Sequence, residues 1–201
     1  MGIFQKLIDI ARGKNEYLQI HGKGNEVVLC RKSKTKVIIY GNNNKVFIDE
    51  SIKRFPCTVY IGVVDCPTDG CTVTVKKGCT SNGITIRCFE DNSKVEIGED
   101  CMFSANIAIE CTDTHAVFDI NTKELLNAGS FVKLGNHVWV GADTSILKNT
   151  NIPNNCIIGR QSLVTKSFEE ENCLIAGSPA QIKKKNINWS RLRPKQYQAQ
   201  K

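Results

Sequence analysis

The sequence predicts an all-β protein folded as a three-sided coil of parallel strands, and three features predict it. First, aliphatic residues recur every six positions at Leu134, Val140, Ile146, Ile152, Ile158 and Val164. That period is neither helical, at about 3.6, nor that of a plain strand, at about 2, and it is the mark of a hexapeptide β-helix. Second, glycine follows three of these rungs, at Gly135, Gly141 and Gly159. Third, β-rich runs recur upstream, with Asn, Gly, Asp, Ser and Lys between them to make turns.

From the N-terminus, residues 1–15 read as a short helix, with Ile3, Leu7, Ile10 and Ala11 on one face. Docking on the coil end or a neighbouring subunit is the favoured use. Lys6, Arg12 and Lys14 also suit weak contact with a membrane surface. Residues 16–109 hold the runs EVVLC (26–30), KVIIY (36–40), KVFID (45–49), TVYIG (58–62), CTVTV (71–75), ITIRC (84–88) and KVEIG (94–98). They could build a sandwich. The ladder below them favours less regular coils of the same β-helix, and Ile97, Phe103 and Ile109 already keep its period.

Residues 110–133 interrupt the ladder and predict a loop projecting from one edge, where function concentrates. Residues 134–176 are regular coils. Three six-residue sides close one turn, so Leu134 should stack on Ile152, Val140 on Ile158 and Ile146 on Val164. Val138, Thr144, Thr150, Cys156 and Ser162, two residues before the rungs, should fill crowded corners. Residues 177–201 form a basic C-terminal extension, read as solvated or subunit-docking. The whole chain reads as one domain.

Composition narrows the function. The formal net charge of +7 favours an anionic partner. No nucleic-acid-binding motif organises that charge, so nucleic acid is not expected. None of the ten cysteines forms C-x-x-C, and they read as reduced, small core fillers of a cytoplasmic protein. No signal peptide or membrane span is evident.

Chemistry points to the interruption. His115 lies there, flanked by Asp113 and Asp119. An imidazole accepts a proton near neutral pH, and a carboxylate can fix its tautomer. Asp113 is the preferred orienting group and Asp119 the second. Trp139 precedes an inward rung, so it should point outward and cover something: a subunit contact or a wall for substrate. His137 reads as structural. His21, His115 and His137 are not spaced as a zinc set, and no metal is expected.

The runs CMFSANIAIECTDTHAVFD, GNHVWVGADTSILKNTNIPNNCIIGRQSLVTKSF and LIAGSPAQIKKKNINWSR resemble the hexapeptide-repeat O-acetyltransferases. The likeness is strongest to the branch that modifies bacterial capsule, O-antigen and sialic-acid polysaccharides, and it spans about residues 93–190. The resemblance implies a left-handed parallel β-helix, a homotrimer with active sites between subunits, and acetyl-CoA as co-substrate. It implies His115 as catalytic base and Trp139 beside the acceptor. It also implies Gly141 and Ala142 along the cofactor arm, and Thr165 and Lys166 near the nucleotide end. Arg160 departs from the small residue common at its place, and either contacts a CoA phosphate or narrows the groove. The acceptor implied is a carbohydrate, and the charge favours an anionic one. N-acetylation of a nucleotide-linked amino sugar and a non-catalytic trimeric scaffold are the alternatives.

Overall fold

The computed structural model describes residues 17–129 and 131–200; the expected N-terminal helix lies outside the described residues. The chain winds round a triangular axis and returns to the same side once per coil. The first coil gives β1 (Leu18–His21) and β2 (Glu26–Val28), and the second gives β3 (Thr35–Tyr40) and β4 (Lys45–Ile48). The third gives β5 (Cys57–Ile61), β6 (Thr72–Val75) and β7 (Thr80–Ser81). The fourth gives β8 (Ile84–Cys88), β9 (Lys94–Ile97) and β10 (Met102–Phe103). The fifth gives β11 (Ile107–Glu110), β12 (Phe131–Leu134) and β13 (Trp139–Val140). The sixth gives β14 (Ser145–Leu147), β15 (Thr150–Ile152) and β16 (Ile157–Ile158). The last gives β17 (Leu163–Val164) and β18 (Leu174–Gly177), after which β19 (Ala180–Lys184) folds back and α1 (Pro194–Gln198) lies near the chain end.

Stacked coils make three sheets. Sheet A runs β1-β3-β5-β8-β11-β14-β17, sheet B runs β2-β4-β6-β9-β12-β15, and sheet C runs β7-β10-β13-β16-β18-β19. Pairing is parallel except between β18 and β19. The fold is a left-handed parallel β-helix. All seven upstream β-rich runs fall on strands of it.

The six-residue ladder is the core. Ile97, Leu134 and Ile152 are register partners in sheet B. Phe103, Val140, Ile158 and Ile175 are partners in sheet C, and Ile109, Ile146 and Val164 in sheet A. None is more than 1% exposed. Each such burial is worth ~1.5–3 kcal/mol. The register passes unbroken across the interruption, so the segment that leaves the coil after the buried Cys111 and Thr112 is an insertion at one corner and leaves the core intact.

The corners explain the many asparagines. His137, Asp143, Asn149, Asn155 and Gln161 all have φ between 55° and 59°, one every six residues. Short polar side chains tolerate this left-handed conformation best. Just inside, Val138, Thr144, Thr150, Cys156 and Ser162 are buried, and the Thr144, Thr150 and Ser162 hydroxyls donate to Gly159, Leu147 and Gly159 carbonyls. Eight of the ten cysteines are buried and all are unlinked, as core fillers should be.

Candidate active site

Two edges of sheet A carry the candidate residues. At the edge where sheet A passes to sheet B, β11 ends at Glu110 and the insertion leaves the coil. One coil on, Lys148 follows β14, and one further, Thr165 and Lys166 follow β17. At the opposite edge, where sheet C passes to sheet A, Gly141 and Ala142 lie between β13 and β14, and Arg160 between β16 and β17.

The insertion is a hairpin-like loop. Phe118 and Leu125 bridge antiparallel, and the Leu126 N–H donates to the Val117 carbonyl at 2.8 Å. Asp119 caps the tip, accepting from the Asn121 and Thr122 N–H groups at 2.8 and 2.9 Å, and these bonds hold its carboxyl below the usual range. Asn127 clamps the base. Its Oδ1 accepts from the Val117 N–H at 2.8 Å, and its Nδ2 donates to the His115 carbonyl at 2.9 Å and to Asp113 Oδ2 at 3.0 Å. Asp113 also forms an ion pair with Lys148 from the next coil. Lys148 first, and Asn127 second, hold the Asp113 carboxyl below its ordinary value.

His115 is exposed, and among the described residues its ring has no hydrogen-bond partner. Neither flanking carboxylate is bonded to the imidazole: Asp113 faces Lys148 and Asn127, while Asp119 closes the tip. The loop is also strongly apolar outside. Ile120 is 75% exposed and Leu126 61%, with Val117, Phe118 and Leu125 more than half exposed. Exposed apolar surface of this kind suits an interaction with a protein, a membrane or a ligand.

The C-to-A edge is narrow and smooth. A Cβ on Gly141 would sit 2.6 Å from the Arg160 nitrogen, so only glycine lets this corner stack on the next. Ala142 adds one methyl beside it. Arg160 reaches back to Asp143 at 3.0 Å. Trp139 does point outward, in the sheet C column between Met102 and Ile157. Trp189 from the tail covers part of it, ring centroids 6.1 Å apart. The Trp139 indole N–H is buried and makes no hydrogen bond among the described residues. A buried donor without a partner is costly, of order 1–3 kcal/mol.

The structure therefore divides the predicted set. His115, Asp113, Thr165 and Lys166 belong to one edge, and Gly141, Ala142 and Arg160 to the other, with sheet A between them. Trp139 stands on sheet C, leading to the second edge. Asn127, Lys148 and Trp189 were not singled out by motif. Each acts through contacts distant in sequence. Among the described residues, no group of three or more His, Cys, Asp or Glu is placed to hold a metal ion, and no helix is long and apolar enough to cross a membrane.

His137 is structural. Its Nδ1 meets Asp100 Oδ2 at 2.7 Å, its ring stacks on Trp189 at 4.1 Å, and the Trp189 Nε1–H donates to the His137 carbonyl at 2.8 Å. Arg191 adds bonds to Asp100, Thr80 and the Gly78 carbonyl. The basic extension, expected to be solvated or subunit-docking, is thus latched on sheet C of its own chain through residues 187–191.

A smooth corner, an outward tryptophan and a loop histidine are the features that this β-helix offers for chemistry. No protein-family model matches the chain. A polysialic acid O-acetyltransferase of Neisseria meningitidis is 36% identical over 179 residues, 87% of this chain and 79% of that protein. A polysialic acid O-acetyltransferase of Escherichia coli O1:K1 / APEC is 33% identical over 112 residues, 56% of this chain but only 36% of that protein's length. Among solved structures, the polysialic acid O-acetyltransferase OatWY superposes with a TM-score of 0.69 at 32% identity, covering 88% of this chain and 92% of that one. The polySia-specific acetyltransferase NeuO does so with a TM-score of 0.69 at 26% identity, covering 92% and 99%. The chain belongs to the hexapeptide-repeat O-acetyltransferases.

Proposed function

We propose that the protein transfers an acetyl group from acetyl-CoA to a sugar hydroxyl of an acidic bacterial surface polysaccharide, a sialic-acid polymer being the first candidate. The relatives named above act on polysialic acid by name, and the net charge of +7 suits such a polyanion. The observation that carries the reading is His115: an exposed, unbonded imidazole on a loop clamped by Asn127, in a fold with an acyl-arm corner at Gly141 and Ala142.

In this reading two copies make one site. His115 and the apolar loop come from one subunit, and Trp139, Gly141 and Ala142 from its neighbour, within a homotrimer. The acceptor hydroxyl oxygen attacks the thioester carbonyl carbon while His115 takes the hydroxyl proton. The tetrahedral intermediate then collapses, the C–S bond breaks, and the imidazolium returns the proton to the leaving thiolate. Such a base contributes ~10²–10⁴ in rate. Asp113 serves as the loop's anchor to Lys148, and so as a positioning residue for His115. Trp139 offers its outward ring as a wall beside the acceptor. Arg160 suits a CoA phosphate at one edge; Thr165 and Lys166, at the other edge, would reach the nucleotide end from the neighbouring subunit.

The test is CoA release from acetyl-CoA with polysialic acid, for wild type and His115→Ala. The variant should lose at least 10²-fold in kcat while its acetyl-CoA affinity stays within twofold. Undiminished turnover in the variant would remove His115 from the chemistry. No acetyl-CoA binding by the wild type would leave only a scaffold.

A further inference from the structure

Five cations gather where the mechanism above uses none. Lys32 and Lys34 lie on the sheet C side of the first coil, and Lys53 and Arg54 on the same side of the second. The two segments stack directly: the Phe55 N–H donates to the Ser33 carbonyl at 2.6 Å, and Thr35 Oγ1 donates to the Phe55 carbonyl at 2.9 Å. Lys36 is the first outward residue beside them, in β3. Lys32, Lys34, Lys53 and Arg54 are exposed and Lys36 is half-buried. None of the five forms an ion pair among the described residues, whereas Lys45, Lys77, Lys94, Lys148, Arg87 and Arg160 all do. Two acids, Asp49 and Glu50, stand in the turn after β4; Asp49 accepts from the Ser51 N–H at 2.9 Å, and Glu50 has an interaction of its own.

Exposed like charges held side by side repel, and a fold that keeps them unpaired leaves a local positive potential for an anion. The position of this one is set by register. Thr35 pairs with Cys57, Cys57 with Ile84, Ile84 with Ile107, and Ala108 with Ser145. Lys34, Pro56, Gly83, Asn106 and Asp143 are therefore successive corners of one edge. That edge is the one on which Gly141 and Ala142 lie. Coils are spaced by ~4.8 Å, so the cluster stands ~14–19 Å along the edge from Ala142. The corners between them, Gly83 and Asn106, carry no charge.

We infer that this cluster is an anchor site for the acidic acceptor polymer: carboxylates several sugar units from the reacting hydroxyl bind Lys32, Lys34, Lys36, Lys53 and Arg54 while the chain runs along the C-to-A edge to the acetyl donor. This rests on the acetyltransferase reading and adds to it a requirement for chain length. An acceptor of one or two sugars cannot reach from the chemistry to the cluster; a longer one can. Binding through exposed charges is also screened by salt, with a Debye length of about 8 Å at physiological ionic strength.

The test is Lys53→Glu/Arg54→Glu in the full chain, with polysialic acid fractionated into short and long chains. CoA release gives kcat and KM, and anisotropy of fluorescently labelled long chains gives binding without turnover. The double variant should raise the long-chain KM and Kd about tenfold or more. Its short-chain KM, its acetyl-CoA KM, its kcat and its thermal melt should not change, and Lys53→Arg/Arg54→Lys should retain wild-type values. Unchanged long-chain binding in the charge-reversed protein overturns the anchor and leaves the acetyltransferase reading standing. An equal rise for short and long chains overturns it too, because the effect would then lie at the reaction centre. Loss of binding to vesicles of phosphatidylserine, with polymer KM unchanged, would reassign the cluster to a membrane surface. Long-chain binding that the double variant abolishes, with no CoA release by the wild type, would support the anchor and sink the catalytic reading.

Discussion

Asn127 is the residue on which the position of His115 depends. It ties the His115 carbonyl, Asp113 and the Val117 N–H together, and three hydrogen bonds to one side chain make a loop segment stiff without any core beneath it. Asn127→Ala removes all three, each worth ~0.5–1.5 kcal/mol. We expect kcat to fall ~10–10²-fold, the cost of a misplaced base, with the acetyl-CoA KM unchanged. Steady-state CoA release checks this, and a changed acetyl-CoA KM would place Asn127 in the cofactor site instead. Asp113 contributes differently. Its carboxyl is held low by Lys148 and then Asn127, so it stays ionised through neutral pH and adds no ionisation to the activity profile there. No motif flags Asn127 or Lys148, because each is chosen by a partner brought near only when coils stack. His115 itself was legible, because it stands in a break of the six-residue pattern.

At the scale of elements, the strands and their inward rungs could be read because period six and period two alternate cleanly in the sequence. The tail could not. Its basic run reads as solvated or subunit-docking, yet Trp189 is only 9% exposed and lies on His137 of the same chain, a residue 52 positions away. The ion pairs beneath it make the latch acid-sensitive. Burial raises the Asp100 carboxyl, but the bonds from His137 and Arg191 outweigh this and leave it below its ordinary value. A lowered carboxylate stabilises the docked tail fully above its unfolded value and loses that contribution as pH falls through the folded one. The tail should therefore stay latched at neutral pH and loosen below about pH 4, the ordinary carboxylate range. Trp189→Ala should loosen it at all pH values, costing up to ~3 kcal/mol of docking. Tryptophan fluorescence against pH, with limited proteolysis of residues 185–201, reads both. A tail equally protected in the variant would mean that Arg191 and the backbone bonds of Ile187 and residue 189 suffice to hold it.

At the scale of the whole molecule, the spacing of Arg160 from Lys166 shows what linear reading misses. Six residues apart in sequence, they stand on opposite edges of sheet A, because six residues carry the chain across one whole side of the coil. The same geometry separates His115 from Ala142, and it makes the subunit arrangement testable. Closed rings of identical subunits use a heterologous contact, one patch of each copy meeting a different patch of the next. In the proposed trimer, the exposed apolar loop face with Ile120 and Leu126 is the patch that would meet the neighbour. If the proposed shared site is right, His115→Ala disables one side of each. Ala142→Trp, chosen to fill the acyl-arm corner, disables the other. Each variant alone should be inactive, with a thermal melt like the wild type's. Unfolded together and refolded as mixed trimers, they should recover about a quarter of wild-type activity, since in a random ring a quarter of neighbouring pairs join an intact loop to an intact corner. If both halves of the site instead came from one chain, every subunit in the mixture would carry one lesion and no activity would return.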